Sequence, residues 1–354
     1  MIFGQFIDHD FAFTSVTKKN NGFPIKCFCK QTNPDCINIM TPDDDKINTD
    51  QICMTLARTS GSFQDLNCKM NHREQLNMET HFLDLSQLYG TEDAQAKKLR
   101  LFRKGLLKTS RIKGLKGRYL PKAKAGTCSR ETSRMKCFES GDSRTSQNLL
   151  LVSVHNIWMR EHNRLARGLQ KLNSHWNDET LFQEARRINI AVYQNIIYQE
   201  WLPIIIGARE FSSNNLQVTN FGQYSMTYNQ NTNPSIAGEF SGAAFRFGHS
   251  LVTSFYSKCD KNLNIFENIS LSTIMFRPKE AYVNDGLDAL ARGLVFDSGS
   301  RMDAHLSNVI QNRLFESKGK RETHRLSLSA INIMRGRDHG LPGKVFLDLR
   351  GKKF

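Results

Sequence analysis

The stretch GDSRTSQNLLLVSVHNIWMREHNRLARGLQKL, residues 141–172, decides the fold. From Leu149 to Leu172, apolar side chains fall at 151, 154, 158, 165 and 169, with Arg160, Glu161, Asn163 and Arg164 between them. That is the period of a helix with one buried face. A second helical run follows. Asp178 and Thr180 precede it, and Pro203 and Gly207 supply its stop. Residues 1–12 read as a helix end, 93–105 as a short charged amphipathic helix, and 241–255 and 302–315 as two further helices. Residues 13–75 are loop-rich, and the basic stretch 106–145 reads as surface loop. Few segments alternate with strand period, and no repeat, low-complexity tract or linker divides the chain. The prediction is a mainly α, single-domain architecture with few short strands.

The chain has 354 residues, 39% hydrophobic and 23% charged, which is ordinary globular composition with room to bury a cofactor. The formal net charge of +15 attracts anions, among them acidic matrix polysaccharide and small anionic substrates. No RNA- or DNA-binding signature accompanies it, so nucleic acid is not predicted as a partner. No apolar run reaches the length of a membrane span; the densest, Trp201 to Ile206, is short and contains Pro203.

Cysteines stand at 27, 29, 36, 53, 68, 128, 137 and 259, without the paired spacings of a zinc site. They predict a disulfide framework formed in an oxidising compartment, and Asn268-Ile-Ser270 is a glycosylation sequon consistent with it. Met1 leads directly into IFGQFIDHD with no signal peptide. The two readings together predict a fragment of a longer, secreted parent.

On a helix, Gln5, Asp8 and His9 share one face amid Phe3, Phe6 and Ile7, a plausible wall for a buried polar reaction centre. Taken alone, the same pattern also describes a helix end with a satisfied histidine. Thr80, Phe82, Asp84 and Ser86 recur at every second position. In an extended segment that spacing aims three side-chain oxygens and a backbone carbonyl to one side, a set suited to Ca²⁺.

The motifs combine in chain order: Gln5 to Asp10, Gly141-Asp-Ser-Arg144, His155, Arg160-Glu-His-Asn-Arg164, Phe245-Arg-Phe-Gly-His249 and Asn332-Ile-Met-Arg335-Gly-Arg-Asp-His-Gly. Through them the chain resembles the animal haem peroxidase superfamily from residue 1 to about 343, leaving 344–354 as a divergent tail. The resemblance implies a helical domain with haem b between distal and proximal helices, and a peroxidase activity. Hydrogen peroxide would be reduced, and a halide, pseudohalide or phenolic (tyrosyl) donor oxidised.

It also implies roles. His9 becomes the distal acid–base that moves a proton between peroxide oxygens. Arg144 stabilises charge on the departing oxygen, and Gln5 bonds distal water or halide. Asp8 matches the carboxylate that esterifies a haem methyl. Gln147 stands where a second ester-forming Glu is usual, and Asn148 where a haem-bonded Met occurs in myeloperoxidase, so one covalent link at most is expected. His249 becomes the axial iron ligand and Asn332 the acceptor of its Nδ1–H, while Arg246 and Arg335 meet haem propionates. Asp10 joins Thr80, Phe82, Asp84 and Ser86 as a calcium ligand. Cys128–Cys137 is the expected local disulfide, and Cys259 is expected to have lost its partner with missing sequence. Ser327 replaces a common Asp. A silent homologue serving as an extracellular adhesion module is the alternative, disfavoured because His9, Arg144 and His249 all persist; a cyclooxygenase-like reading fits the motifs less well.

Overall fold

In this computed structural model, which describes residues 1–20, 24–45, 51–62, 73–219, 222–224, 228–318 and 323–343, Asn148 opens the central helix. Its side-chain oxygen accepts the Leu151 N–H at 2.8 Å, satisfying one of the donors a helix start leaves unpaired. The helices are α1 (Ile2–Phe11), α2 (Ser86–Tyr89), α3 (Asp93–Leu99), α4 (Leu149–Leu172), α5 (Asp178–Ile196), α6 (Leu202–Ile206), α7 (Ala208–Ser213), α8 (Gly238–Gly242), α9 (Leu271–Ile274), α10 (Gly286–Phe296), α11 (Asn308–Asn312) and α12 (Leu328–Asp338). Strands β1 (Cys36–Met40) and β2 (Cys53–Ala57), β3 (Gly61–Ser62) and β4 (Glu74–Gln75), β5 (Phe255–Cys259) and β6 (Ile265–Ser270), and β7 (Leu314–Lys318) and β8 (Thr323–Leu326) form separate antiparallel pairs. The mainly helical reading with short strands holds.

Helix α4 is the axis of the core, with α1, α5 and α10 packed around it. Leu149, Leu150, Leu151 and Val152 are fully buried, and Phe6 of α1 stacks on Trp158 of α4 and meets Tyr193 of α5 edge-on. At the start of α5, Asn177 caps Thr180 at 2.8 Å, and Asp178 and Glu179 face the positive helix end while binding Arg100. The run beyond Ile196 widens into a π-turn, Ile197–Trp201, before α6. Pro203 has no N–H to give to the preceding turn, and the wider turn absorbs that loss. Gly207, at φ 82°, ends the run where its sequence predicted.

Three predicted helices differ. Residues 241–255 do not form one helix: α8 ends at Gly242, a 3₁₀ turn covers Ala244–His249, and β5 begins at Phe255. The break lies at Ala243, with φ −136° and ψ −66°. Residues 302–315 are helical only over α11. The Asp303 carboxylate accepts the His305 N–H at 2.8 Å and Ser250 accepts the Asp303 N–H at 3.2 Å, side-chain bonds that compete with a helical turn. The 93–105 helix stops at Leu99 because the Arg100 guanidinium turns inward to Asp178 and Glu179.

Residues 106–145 are irregular but not merely surface, since Tyr119 is 0% and Phe138 1% exposed. Disulfides join Cys27 to Cys36, Cys29 to Cys53 and Cys128 to Cys137, the last as expected. Cys259 is a buried free thiol, and Cys68 and the 344–354 tail lie outside the described residues. Among the described residues, no helix is long and apolar enough to cross a membrane.

Candidate active site

Helix α1 buries Ile2, Phe6, Ile7 and Phe11 in the core and so turns Gln5, Asp8 and His9 to the opposite side. All three line a cavity of about 480 Å³, whose far wall is the His249 segment and α12. Arg144, Gln147, Asn148, Arg246 and Arg335 line it too, and Phe245, Leu251, Val252, Leu271 and Ile331 make much of the rest apolar. A mostly apolar cavity with a few convergent polar groups is the usual form of a cofactor site.

His9 is buried, and among the described residues its Nδ1 has no hydrogen-bond partner. Burial first, and the Arg144 charge second, hold its pKa well below 6.5, so the imidazole is neutral. Burial raises the Asp8 carboxyl to about 6, against the opposing pull of Arg144 and Arg246.

Arg144 does not bond the His9 ring. Its Nη1 donates to the Ala12 carbonyl at 2.8 Å and its Nη2 to the His9 carbonyl at 3.4 Å, gripping the C-terminal end of α1. The guanidinium lies 4.3 Å from the Phe13 ring centroid. Asp142 supplies its main partner: Nε lies 3.0 Å and Nη2 2.5 Å from Asp142 Oδ2. Glu79, also buried, has Oε1 3.7 Å from Nη2. Burial favours protonation of both acids, but Arg144 and its hydrogen bonds hold Asp142 well below the usual range, whereas Glu79, beside that negative charge, is raised. Asp142 and Glu79 carried no role in the sequence reading. The signal for Asp142 was present two residues before Arg144, whereas nothing local marks Glu79.

On the opposite wall, His249 Nδ1 lies 2.8 Å from Asn332 Nδ2, and Arg246 Nη1 donates to Asn332 Oδ1 at 2.9 Å. The expected pair is made, but the expected direction is reversed. Arginine only donates, so it claims the amide oxygen and leaves the amide nitrogen facing the ring. Burial, then Arg246, lowers the His249 pKa to about 4. Arg335 donates to the Ala57 carbonyl at 2.8 Å and pairs with Asp338, which also holds Arg58 and the Thr59 N–H.

Gln5 sits between the residues at the two altered positions. Its Nε2 donates to Gln147 at 3.4 Å, and Asn148 Nδ2 donates to its Oε1 at 3.3 Å. Trp201, which sequence reasoning passed over as part of an apolar run, also lines the cavity and lies against Gly4.

The predicted calcium residues converge, although not through an extended strand. Residues 80–85 form a bent loop that enters α2 with Leu85 at φ 57° and ψ 33°. Thr80 donates to Asp84 at 3.1 Å, the Ser86 N–H bonds Asp84 and Asp10, and the Leu85 N–H bonds Asp10 at 3.2 Å. Thr80 Oγ1 lies 3.4 Å from the Phe82 carbonyl. Burial, then the neighbouring Asp84 charge, raises Asp10 to about 8.

A buried cavity between two histidines, one backed by an asparagine and the other flanked by an arginine, defines a haem-protein architecture. Residues 1–347 match the animal haem peroxidase family, and the chain belongs to it. It is similar to the peroxidasin homolog pxn-2 of Caenorhabditis elegans, 36% identical over 97% of this chain and 27% of that protein. It is likewise 36% identical to the chorion peroxidase of Drosophila melanogaster, over 99% of this chain and 44% of that one. The chain thus spans less than half the length of these curated relatives. Among solved structures it is similar to peroxidase A of Dictyostelium discoideum, with TM-score 0.75, 27% identity, and coverage of 96% of this chain and 63% of that one. A fatty acid alpha-dioxygenase of Oryza sativa, at TM-score 0.70 and 17% identity, over 96% of this chain and 55% of that one, shares the fold alone.

Proposed function

We propose that this chain is the haem-binding core of a peroxidase that reduces hydrogen peroxide and oxidises a halide, pseudohalide or phenolic (tyrosyl) donor. One observation carries the reading: His9 and His249 line the same cavity, with Asn332 on the Nδ1 of His249. The residues present fit haem. Asn332 stands on the Nδ1 side of His249, which leaves Nε2 for iron; ligation needs Nε2 unprotonated, so the iron-bound ring would carry its proton on Nδ1 and take the Asn332 side-chain oxygen as its acceptor. The apolar wall suits the macrocycle, and Arg246 and Arg335 offer positive charge to propionates. When bound, haem supplies the iron that takes up peroxide and the oxidising power passed to the donor.

The chain's own residues do the rest. Neutral His9 takes a proton from one peroxide oxygen and returns it to the other. Arg144 stabilises the negative charge that develops on the leaving oxygen. Gln5 holds water or halide nearby. Asp8, which lines the cavity, is the carboxylate we assign to a single ester link, and the amide of Gln147 offers no second one. Asp10, Thr80, Asp84, Ser86 and the Phe82 carbonyl form a Ca²⁺ site whose ion offsets the paired carboxylates and holds α1 beside α2. We assign residues 1–343 to one peroxidase domain, and place the protein outside the cell on the strength of its disulfides. The +15 charge also suits acidic matrix polysaccharide as a partner.

The test is reconstitution of the full chain with haem. A Soret band with peroxide-dependent oxidation of a phenol is expected. His9→Ala should slow the peroxide reaction by about 10²–10⁴-fold with the Soret band retained. Bound haem with no peroxide-dependent oxidation would refute the reading.

A further inference from the structure

Among the described residues, the Arg144 side chain is 19% exposed, whereas the Asp142 carboxylate beneath it is 0% exposed. Asp142 is itself rigidly placed. A Cβ at the preceding Gly141 would lie 2.2 Å from the Ser86 carbonyl oxygen, so this backbone runs directly against α2. The Gly141 N–H donates to the Leu88 carbonyl at 3.1 Å, and the Thr145 hydroxyl donates to the Asp142 carbonyl at 2.6 Å.

A guanidinium carries five N–H donors in a rigid fork. At Arg144, Nε and one Nη2 hydrogen go to Asp142. The second Nη2 hydrogen faces the His9 carbonyl, and one Nη1 hydrogen goes to the Ala12 carbonyl. One Nη1 hydrogen is left, on a side chain that lines the cavity. Without Asp142, the two carbonyls and the longer contact to Glu79 hold the fork only by its Nη tips, nothing grips Nε, and the guanidinium can swing about Cδ–Nε.

We infer that Asp142 is a positioning residue for the peroxide reaction: its buried carboxylate clamps the Nε–Nη2 edge of Arg144 so that one Nη1–H faces the reacting oxygen. The inference rests on the peroxidase reading above. It also explains why the segment between Cys137 and α4 runs so closely against α2: the anchor must be stiffer than the side chain it aims.

The test compares wild type, Asp142→Ala, Asp142→Asn, Arg144→Ala and the Asp142→Ala/Arg144→Ala double variant. Each haem-loaded full chain is mixed with hydrogen peroxide and followed at the Soret band, and reduction by the donor is timed separately. Asp142→Ala should slow the peroxide step by about 10–100-fold and leave the donor step unchanged, since a displaced catalytic donor costs about that much. Asp142→Asn keeps one acceptor and should fall between Asp142→Ala and wild type. In the Arg144→Ala background, loss of Asp142 should cost nothing further in the peroxide step.

The inference is overturned if Asp142→Ala reacts at the wild-type rate, or slows the peroxide step equally with and without Arg144. If Asp142→Ala does not load haem, Asp142→Asn decides, and a wild-type rate there counts against it. Melting of the haem-free proteins is a separate readout, in which the double variant should lose less than the two single losses added together; strict additivity would reject the clamp. Should loaded wild type not react with peroxide, the peroxidase reading fails on its own, and the melting cycle still judges the pair.

Discussion

Ser86 reaches Asp10 through two groups: its backbone N–H donates to Oδ1 at 2.8 Å, and its hydroxyl lies 2.9 Å from the Asp10 carbonyl oxygen and 3.0 Å from the same Oδ1. Because Asp10 follows His9, this contact ties the first turn of α2 to the helix that carries His9. Asp10→Ala strands the buried Leu85 N–H and leaves the Ser86 N–H to Asp84 alone, so a loss of about 1–3 kcal/mol is expected. Urea denaturation of the haem-free chain measures it, and a loss below about 1 kcal/mol would contradict this account.

Calcium should act through the same contact. Added at about 100 times its dissociation constant, Ca²⁺ should stabilise the fold by about 2.7 kcal/mol, and a chelator should reverse the gain. Mg²⁺ should do less, since it demands a tighter octahedron than this bent loop offers. Differential scanning calorimetry checks both statements. A melting temperature indifferent to chelator would remove calcium from the account.

Asn332 holds His249 from one side and Arg246 from the other. Asn332→Ala frees the ring to rotate and leaves the guanidinium without its acceptor. Haem should then leave the protein about 10–100-fold more readily, as when a metal ligand loses its supporting hydrogen bond. Transfer to excess apomyoglobin provides the measurement; an unchanged transfer rate would count against Asn332.

Gly141→Ala puts a methyl where the Ser86 carbonyl oxygen and the Gly90 nitrogen already stand, 2.2 and 2.3 Å from the new Cβ. Both neighbours are backbone, so relief requires moving α2. A loss of about 2–4 kcal/mol is expected, well above a surface Gly→Ala change. Chemical denaturation should show it, with Gly168→Ala, where nothing lies within 4 Å, as the mild comparison.

Acid should weaken the core through His162. Its Nδ1 meets the Tyr89 hydroxyl and its Nε2 the Gly105 carbonyl, both at 2.9 Å, and burial lowers its pKa to about 4. The unfolded chain takes up this proton near pH 6.5, the native one only near 4. This stability is therefore whole above about 6.5 and is lost as pH falls towards 4, by at most about 1.4 kcal/mol per pH unit. In His162→Gln this contribution disappears while those of the other buried histidines remain, so the gap between wild type and variant should narrow on acidification. Denaturation at pH 7, 6 and 5 tests the sign.

Much of the site was legible locally. Gln5, Asp8 and His9 share a face because helical spacing puts them there, and the 149–172 periodicity marked a helix whose bounds match α4. Helices 241–255 and 302–315 were misread because their side chains bond to neighbouring backbone or to distant partners, which periodicity does not register. Thr80, Phe82, Asp84 and Ser86 converge for a reason other than their two-residue spacing: a left-handed Leu85 and the Asp10 carboxylate bend the loop. Glu79 was not legible at all, since its importance is its distance from a residue 65 positions later, Arg144.

The residues by themselves determined the family and the α4 core helix and named the side chains of the proposed chemistry, because those depend on local period and on the identity of donors and acceptors. Only the tertiary structure decided how those side chains are held. It turned the Arg144 fork onto Asp142, gave the Asn332 oxygen to Arg246, and clasped Gln5 between Gln147 and Asn148. Each of these is a competition among donors for few acceptors in a buried space, and its outcome depends on which groups the folded chain brings within about 3 Å.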